Sequence, residues 1–202
     1  SFVNLNLDYD TRNQKFQTSQ GFRNYFSTDL PLISETNTLA NTFISTNYYE
    51  YFNNNILKSS FYFRNANSIT GENEKLSEIL SLPSNRLRGF KRGKVGPKDG
   101  NDFIGGNYIA SLNFSSDVPK ILENSQTTDL KIFLDIANVW GVDYDSSLET
   151  SDDIKSALGI GLDFFTPVGP LNFTLSQHLS KGSNDIAAVS YTHLRAHETF
   201  TD

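Results

Sequence analysis

The chain has 202 residues, enough for one domain, and no Cys, which excludes disulfides and thiolate metal sites. Hydrophobic residues make up 37% and mean hydropathy is -0.40, low for a soluble core of this size, while aromatics reach 13% with 16 Phe and 9 Tyr. The net charge of -6 argues against general nucleic-acid binding.

A polar average rich in aromatics suits a transmembrane β-barrel, in which apolar residues fill alternate positions and aromatics form girdles. A soluble β-sandwich shares that alternation. No run approaches the ~18 to 20 apolar residues of a membrane helix. Residue 1 already lies inside an alternating segment, so an N-terminal part, with any export signal, is expected to be missing.

Period-two alternation dominates the chain. From Phe2 to Asp10, Val3, Leu5, Leu7 and Tyr9 share one face and Asn4, Asn6, Asp8 and Asp10 the other. From Phe22 to Leu32, Phe22, Phe26, Leu30 and Leu32 oppose Arg23, Ser27 and Asp29. Thr36 to Tyr51 and Ile56 to Ile69 read as longer, noisier strands. Their aromatics, Tyr48, Tyr49, Tyr51, Phe52, Phe61, Tyr62 and Phe63, are expected near strand ends as interfacial girdles.

A loop of roughly thirty-five residues follows, a length that is usually functional or disordered. Within it lie Leu87-Arg88-Gly89-Phe90, Gly96-Pro97 and Gly105-Gly106-Asn107, with six glycines from Gly89 to Gly106. The loop is basic, through Arg86, Arg88, Lys91, Arg92, Lys94 and Lys98. Such a cluster can bind phosphates, but folding into an acidic lumen is the preferred expectation. No Gly-Lys-Ser or Gly-Lys-Thr follows the glycines, so this is not a P-loop.

Four cleaner stripes come next: Tyr108, Ala110, Leu112 and Phe114; Leu130, Ile132, Leu134 and Ile136; Leu158, Ile160, Leu162 and Phe164; Leu171, Phe173 and Leu175. In a barrel these stripes face lipid. The opposite faces, with Asp135 beside Asp129 and Lys131, Asp163 beside Gly159 and Gly161, and His178, then face the lumen. Thr166-Pro167-Val168-Gly169-Pro170 reads as a tight turn, whereas Asp117 to Thr128 is longer than a short-turn side wants.

Several of these motifs, in order, resemble the C-terminal half of BamA-like outer-membrane assembly proteins of the bacterial surface antigen superfamily. They are Asp10-Thr11-Arg12 with Phe16, Thr18-Ser19 and Gly21; Arg88-Gly89-Phe90; Gly96-Pro97; Gly105-Gly106-Asn107; Phe133-Leu134-Asp135-Ile136-Ala137-Asn138-Val139-Trp140; and Ala157 to Gly161 with Thr166 to Leu171. Gln17 stands where the family has proline, and Ala137 replaces its strand glycine. The order favours this family over TamA and the two-partner secretion transporters.

The resemblance implies an all-β fold, an antiparallel transmembrane barrel of which about eight strands are present, the C-terminal half of about sixteen. It covers residues 1–186, with an inward-folded loop at about 70–106. Residues 187–202 lose the alternation, lack the family's terminal aromatic and look like translated adapter read-through. They are expected to be a non-native tail and not the closing strand.

By resemblance the protein is no enzyme and uses no cofactor. It would insert client β-strands at a seam between first and last strands, helped by membrane thinning. Its partners would be unfolded outer-membrane clients, accessory lipoproteins and outer-membrane lipid, with no nucleic acid, in a Gram-negative outer membrane. The resemblance makes Arg88, Gly89, Phe90, Gly105, Gly106 and Asn107 the functional loop motif. Asp135 is then the expected lumen partner of Arg88, and Asp163 a second candidate. A guanidinium can make a planar two-point contact with a carboxylate that lysine cannot reproduce. His193 and His197 are four apart, as helical zinc ligands can be, but no third ligand is evident. A passive outer-membrane channel or secretion pore is the alternative function, and a soluble β-sandwich the third reading.

Overall fold

The computed structural model describes residues 2–15, 18–32, 37–51, 55–70, 78–117, 128–142, 148, 154–166, 169–180 and 186–191. Eight long strands occupy the expected segments: β1 (Phe2–Asp10), β2 (Gly21–Pro31), β3 (Thr38–Tyr51), β4 (Asn55–Ser68), β7 (Tyr108–Asp117), β8 (Thr128–Trp140), β9 (Lys155–Thr166) and β10 (Gly169–His178). Between β4 and β7, the described residues hold a 3-10 turn at Ser84–Arg86, a two-residue ribbon, β5 (Lys98–Asp99) with β6 (Asp102–Phe103), and an isolated bridge between Leu80 and Gly106. The fold is all-β. Every long strand pairs antiparallel with its neighbour in chain order, giving one open sheet, β1-β2-β3-β4-β7-β8-β9-β10, with a further strand at Ile186–Tyr191 on the β10 edge.

The last strand, β11 (Ile186–Tyr191), was not expected. Its backbone pairs with β10 from Gln177↔Ile186 to Asn172↔Tyr191. Strand pairing satisfies main-chain donors and acceptors whatever the side chains, so an open edge on β10 can template a segment with weak alternation. The boundary expected at 186/187 is therefore crossed by continuous pairing through Tyr191. Residues 192–202, with His193 and His197, lie outside the described residues.

The two faces differ in what covers them. In register, Leu7, Phe26, Phe43 and Phe63 form a row across four strands, and Ile132, Ile160 and Leu175 another across three. Ile132, Ile160 and Leu175 are each about half exposed, at 51%, 47% and 49%. A continuous bare apolar face is not the surface of a soluble sandwich, whose apolar faces pack on each other.

Over β4, β7, β8 and β9 the opposite face is buried beneath the long loop. Leu80, Leu82, Leu87 and Val95 of the loop pack with Tyr62, Ala66, Ile109, Ala137, Val139 and Ala157 of the sheet. Burying such aliphatic side chains contributes about 1.5–3 kcal/mol each, which is why a loop poor in regular structure stays down. Thr46 of β3 and Thr174 of β10 line the same cavity of about 510 Å³. Those strands are five places apart in the sheet, which would separate them by roughly 24 Å if it were flat. The sheet therefore curls around the loop.

One girdle expectation is corrected. Phe61, Tyr62 and Phe63 lie at the middle of β4, not at its end. Phe61 contacts Phe43 on the bare face at 6.2 Å between ring centroids, while Tyr62 is buried on the loop side. The ends of β4 are set by pairing with β3, from Tyr51↔Asn55 to Thr38↔Ser68.

Candidate functional site

The site lies where residues 84–90 of the loop meet the concave faces of β7, β8 and β10. Alternation places Phe133 and Asp135 of β8 on the same face, and sheet register sets Asn113 of β7 directly opposite Asp135. Asp135 is wholly buried.

Arg88 forms a two-point fork on this carboxylate: Nε donates to Oδ2 and Nη2 to Oδ1, both at 2.8 Å. The Arg88 backbone amide donates to Oδ2 at 3.0 Å, and Asn113 Nδ2 donates to Oδ1 at 2.9 Å. Four N–H donors thus replace the water a buried carboxylate has lost. Asn113 also donates to the Arg86 carbonyl at 2.7 Å, holding the chain just before the arginine. Beneath the fork, the Arg88 guanidinium carbon lies 3.6 Å from the centroid of the Phe133 ring. The ring lies opposite Gly159 in the pairing with β9. A Cβ on Gly159 would strike both Phe133 and the Leu175 carbonyl, so the glycine makes room for the platform under Arg88.

Gly89 takes φ +91, a left-handed conformation that glycine adopts without steric penalty. A Cβ there would overlap the Ser176 hydroxyl of β10. The Gly89 carbonyl lies 3.0 Å from His178 Nε2, which donates in the tautomer protonated at that nitrogen. Phe90 stacks on the His178 ring, with centroids 3.9 Å apart and planes 18° from parallel. The Arg-Gly-Phe turn is thus held on β8 through Arg88 and on β10 through Gly89 and Phe90, across the width of β9.

Gly105, Gly106 and Asn107 do not join this cluster. They form the loop's exit at the sheet rim. Leu80 and Gly106 exchange backbone hydrogen bonds of 2.9 and 3.0 Å, the Asn107 amide donates to the Gly141 carbonyl at 2.8 Å, and the Ala66 amide donates to the Asn107 carbonyl at 2.9 Å. Asp163, the second candidate for Arg88, is also elsewhere engaged. Lys131 donates to it at 3.0 Å and the Asn172 side chain also bonds it. Lys131 lies on the same face of the neighbouring strand, and cross-strand register decides the pair before the loop arrives.

Sequence reading missed Asn113, Phe133 and Ser176 as members of the site, and named His178 only for its parity. The available signal was that parity: each lies on the face of its own strand that carries Asp135 or packs beside it.

The family model for the Omp85 superfamily domain matches residues 1–193. Among curated proteins, the chain is similar to a SAM50-like protein of Schizosaccharomyces pombe, at 37% identity over 103 residues, covering 46% of this chain and 21% of that protein. It is also similar to the outer membrane protein assembly factor BamA of Neorickettsia risticii, at 28% identity over 104 residues, covering 50% and 14%. The solved structure of BamA from Haemophilus ducreyi lacking POTRA domains 1–3 superposes with a TM-score of 0.79 at 19% identity, over 93% of this chain and 40% of that one. The chain thus spans well under half the length of each of these relatives.

Proposed function

The chain belongs to the Omp85 superfamily, and from that premise we propose that it is part of the barrel of a factor that folds and inserts β-barrel proteins into a bacterial outer membrane. The assembly function comes from likeness to a BamA and a SAM50-like protein, and the mode of action is non-enzymatic. On this reading the bare rows of Leu, Ile and Phe face lipid. The partners are unfolded client barrels, accessory lipoproteins and the surrounding outer-membrane lipid.

The observation that carries the reading is the loop core itself. A passive pore keeps its lumen wet. Here Leu80, Leu82, Leu87 and Val95 build an apolar core on the lumen face, locked by the Arg88–Asp135 fork. That arrangement supports a barrel whose interior holds a fixed structural element and not a solute path. Within it, Arg88, Gly89 and Phe90 hold the loop, Asp135 receives it, and Gly105, Gly106 and Asn107 tie its exit to the wall.

The test is made in the intact barrel protein. Arg88→Ala should lower the yield of folded client barrels, measured by reconstitution into lipid vesicles, much more than Lys91→Ala. High solute conductance of the unaltered protein, with client yield unaffected by Arg88→Ala, would favour the channel reading instead.

A further inference from the structure

The cavity of about 510 Å³ beneath the loop has a composition that the lock does not explain. Thr46, Ser60, Ser115 and Thr174 bring hydroxyls to its wall, and Asn85, Asn113 and Asn172 bring amides. Three cations, Lys58, Arg86 and Arg88, share it. Arg88 is neutralised by Asp135. Arg86 and Lys58 are not: among the described residues, no carboxylate is in ion-pair contact with either.

Arg86 is half buried, with its guanidinium carbon 4.5 Å from the Tyr62 ring centroid and Nη1 donating to the Ser60 hydroxyl at 3.0 Å. These contacts orient the guanidinium without balancing its charge. Burial pulls it below its ordinary pKa, against the opposing influence of Tyr62 and Asp135. The Asn113 bond to the Arg86 carbonyl fixes the backbone, so the cation is held by design of the loop. Lys58 is exposed at the same cavity, 5.6 Å from the Tyr48 ring centroid. A desolvated cation with unused N–H donors, in a cavity of neutral polar groups, is stabilised by an anion that accepts those donors.

We propose that this cavity is an oxyanion-binding site inside the barrel, in which Arg86 and Lys58 receive a carboxylate or phosphate group and the hydroxyl and amide wall receives its polar surroundings. The volume is of the size that holds a small organic molecule or a short stretch of peptide, and larger than one inorganic anion needs. The site adjoins the Arg88 lock, with Arg88 and Asn113 in its wall, but its two free cations are not part of that lock, and it does not depend on the assembly reading.

The test uses the purified intact barrel protein in detergent, titrated calorimetrically with inorganic phosphate and, separately, with blocked tri-glutamate and tri-lysine peptides. Saturable binding of phosphate or tri-glutamate, and none of tri-lysine, is expected. Phosphate alone would identify a free anion as the ligand, and tri-glutamate alone an acidic polypeptide. Arg86→Gln and Lys58→Gln should each raise Kd at least tenfold, with Lys91→Gln unchanged. Lys58 is exposed, so its variant reads the site even where Arg86→Gln disturbs folding. Absence of saturable binding, or equal weakening by Lys91→Gln, would overturn the proposal. So would a structure of the intact barrel with a carboxylate of its own wall seated on Arg86.

Discussion

Two of the three arginine–aspartate forks among the described residues have nearly the same geometry and very different surroundings. Arg23 donates from Nε to Asp8 Oδ1 at 2.9 Å and from Nη2 to Oδ2 at 2.6 Å, between neighbouring strands. Arg88 makes the same two-point contact with Asp135 at 2.8 Å, between a loop and a strand. The first pair is open to water on both sides, with about two fifths of each side chain exposed. In the second, the aspartate has no exposure and the arginine 23%. Geometry alone does not tell them apart. An exposed pair gains little, because water and salt compete for both charges. A buried pair is costly to break, since either partner left alone is an unpaired charge out of water.

The largest expected effect sharpens that contrast. Asp135→Ala or Arg88→Ala should destabilise the folded barrel by about 3–5 kcal/mol, read as a shift of the urea unfolding midpoint in lipid vesicles. A change as small as that for Arg23→Ala would show that the loop lock is solvated after all. A charge in a third environment comes next. Ile160→Arg, on the bare face, should cost about 2–4 kcal/mol if that face meets the lipid midplane. No measurable cost in bilayers would contradict the assignment of that face.

Within the lock, Gly89→Ala should cost about 1–3 kcal/mol and loosen the loop, because the backbone is left-handed and Ser176 occupies the Cβ position. Limited proteolysis between Arg86 and Lys98 would report the loosening; an unchanged cleavage rate would mean that β10 yields instead. His178→Phe keeps the ring stack on Phe90 and loses the bond to the Gly89 carbonyl, whereas His178→Gln does the reverse. Aromatic pairs contribute about 0.5–1.5 kcal/mol, so each variant should lose about that much, less than Gly89→Ala. Equal stability of both variants with the parent would remove β10 from the lock. The smallest effect is expected for Arg23→Ala: an unfolding midpoint indistinguishable from the parent in high salt. A clear salt-independent loss would break the comparison, by showing that the exposed fork is as strong as the buried one.

The positions of the eight long strands were legible because pairing and solvent impose a strict period of two. Leu158, Ile160 and Leu162 alternate with Gly159, Gly161 and Asp163 because one face of β9 is bare and the other covered. Ile186–Tyr191 was not legible. Two consecutive alanines blur its alternation, and its place comes from the free edge of β10, which is a backbone property. The mid-strand position of Phe61 and Tyr62 was likewise hidden, since aromatic residues at a girdle and at mid-strand look alike in a sequence.

The sequence by itself determined the eight long strands, the face of each residue in the clean stripes and, through resemblance, that Arg88 seeks a carboxylate. Parity sufficed to put both Asp135 and Asp163 on the loop side. Only the tertiary structure decided between them. Register gives Asp163 to Lys131, a contact made within the sheet, and leaves Asp135 opposite Asn113 with room above Phe133 for a guanidinium. The same holds for the contact of Phe90 with His178 and for the cations facing the cavity. These meetings join residues up to 89 positions apart in the chain, and they depend on how far the sheet curls around the loop. That curl is a sum of small twists over many strands, which no local pattern of residues encodes.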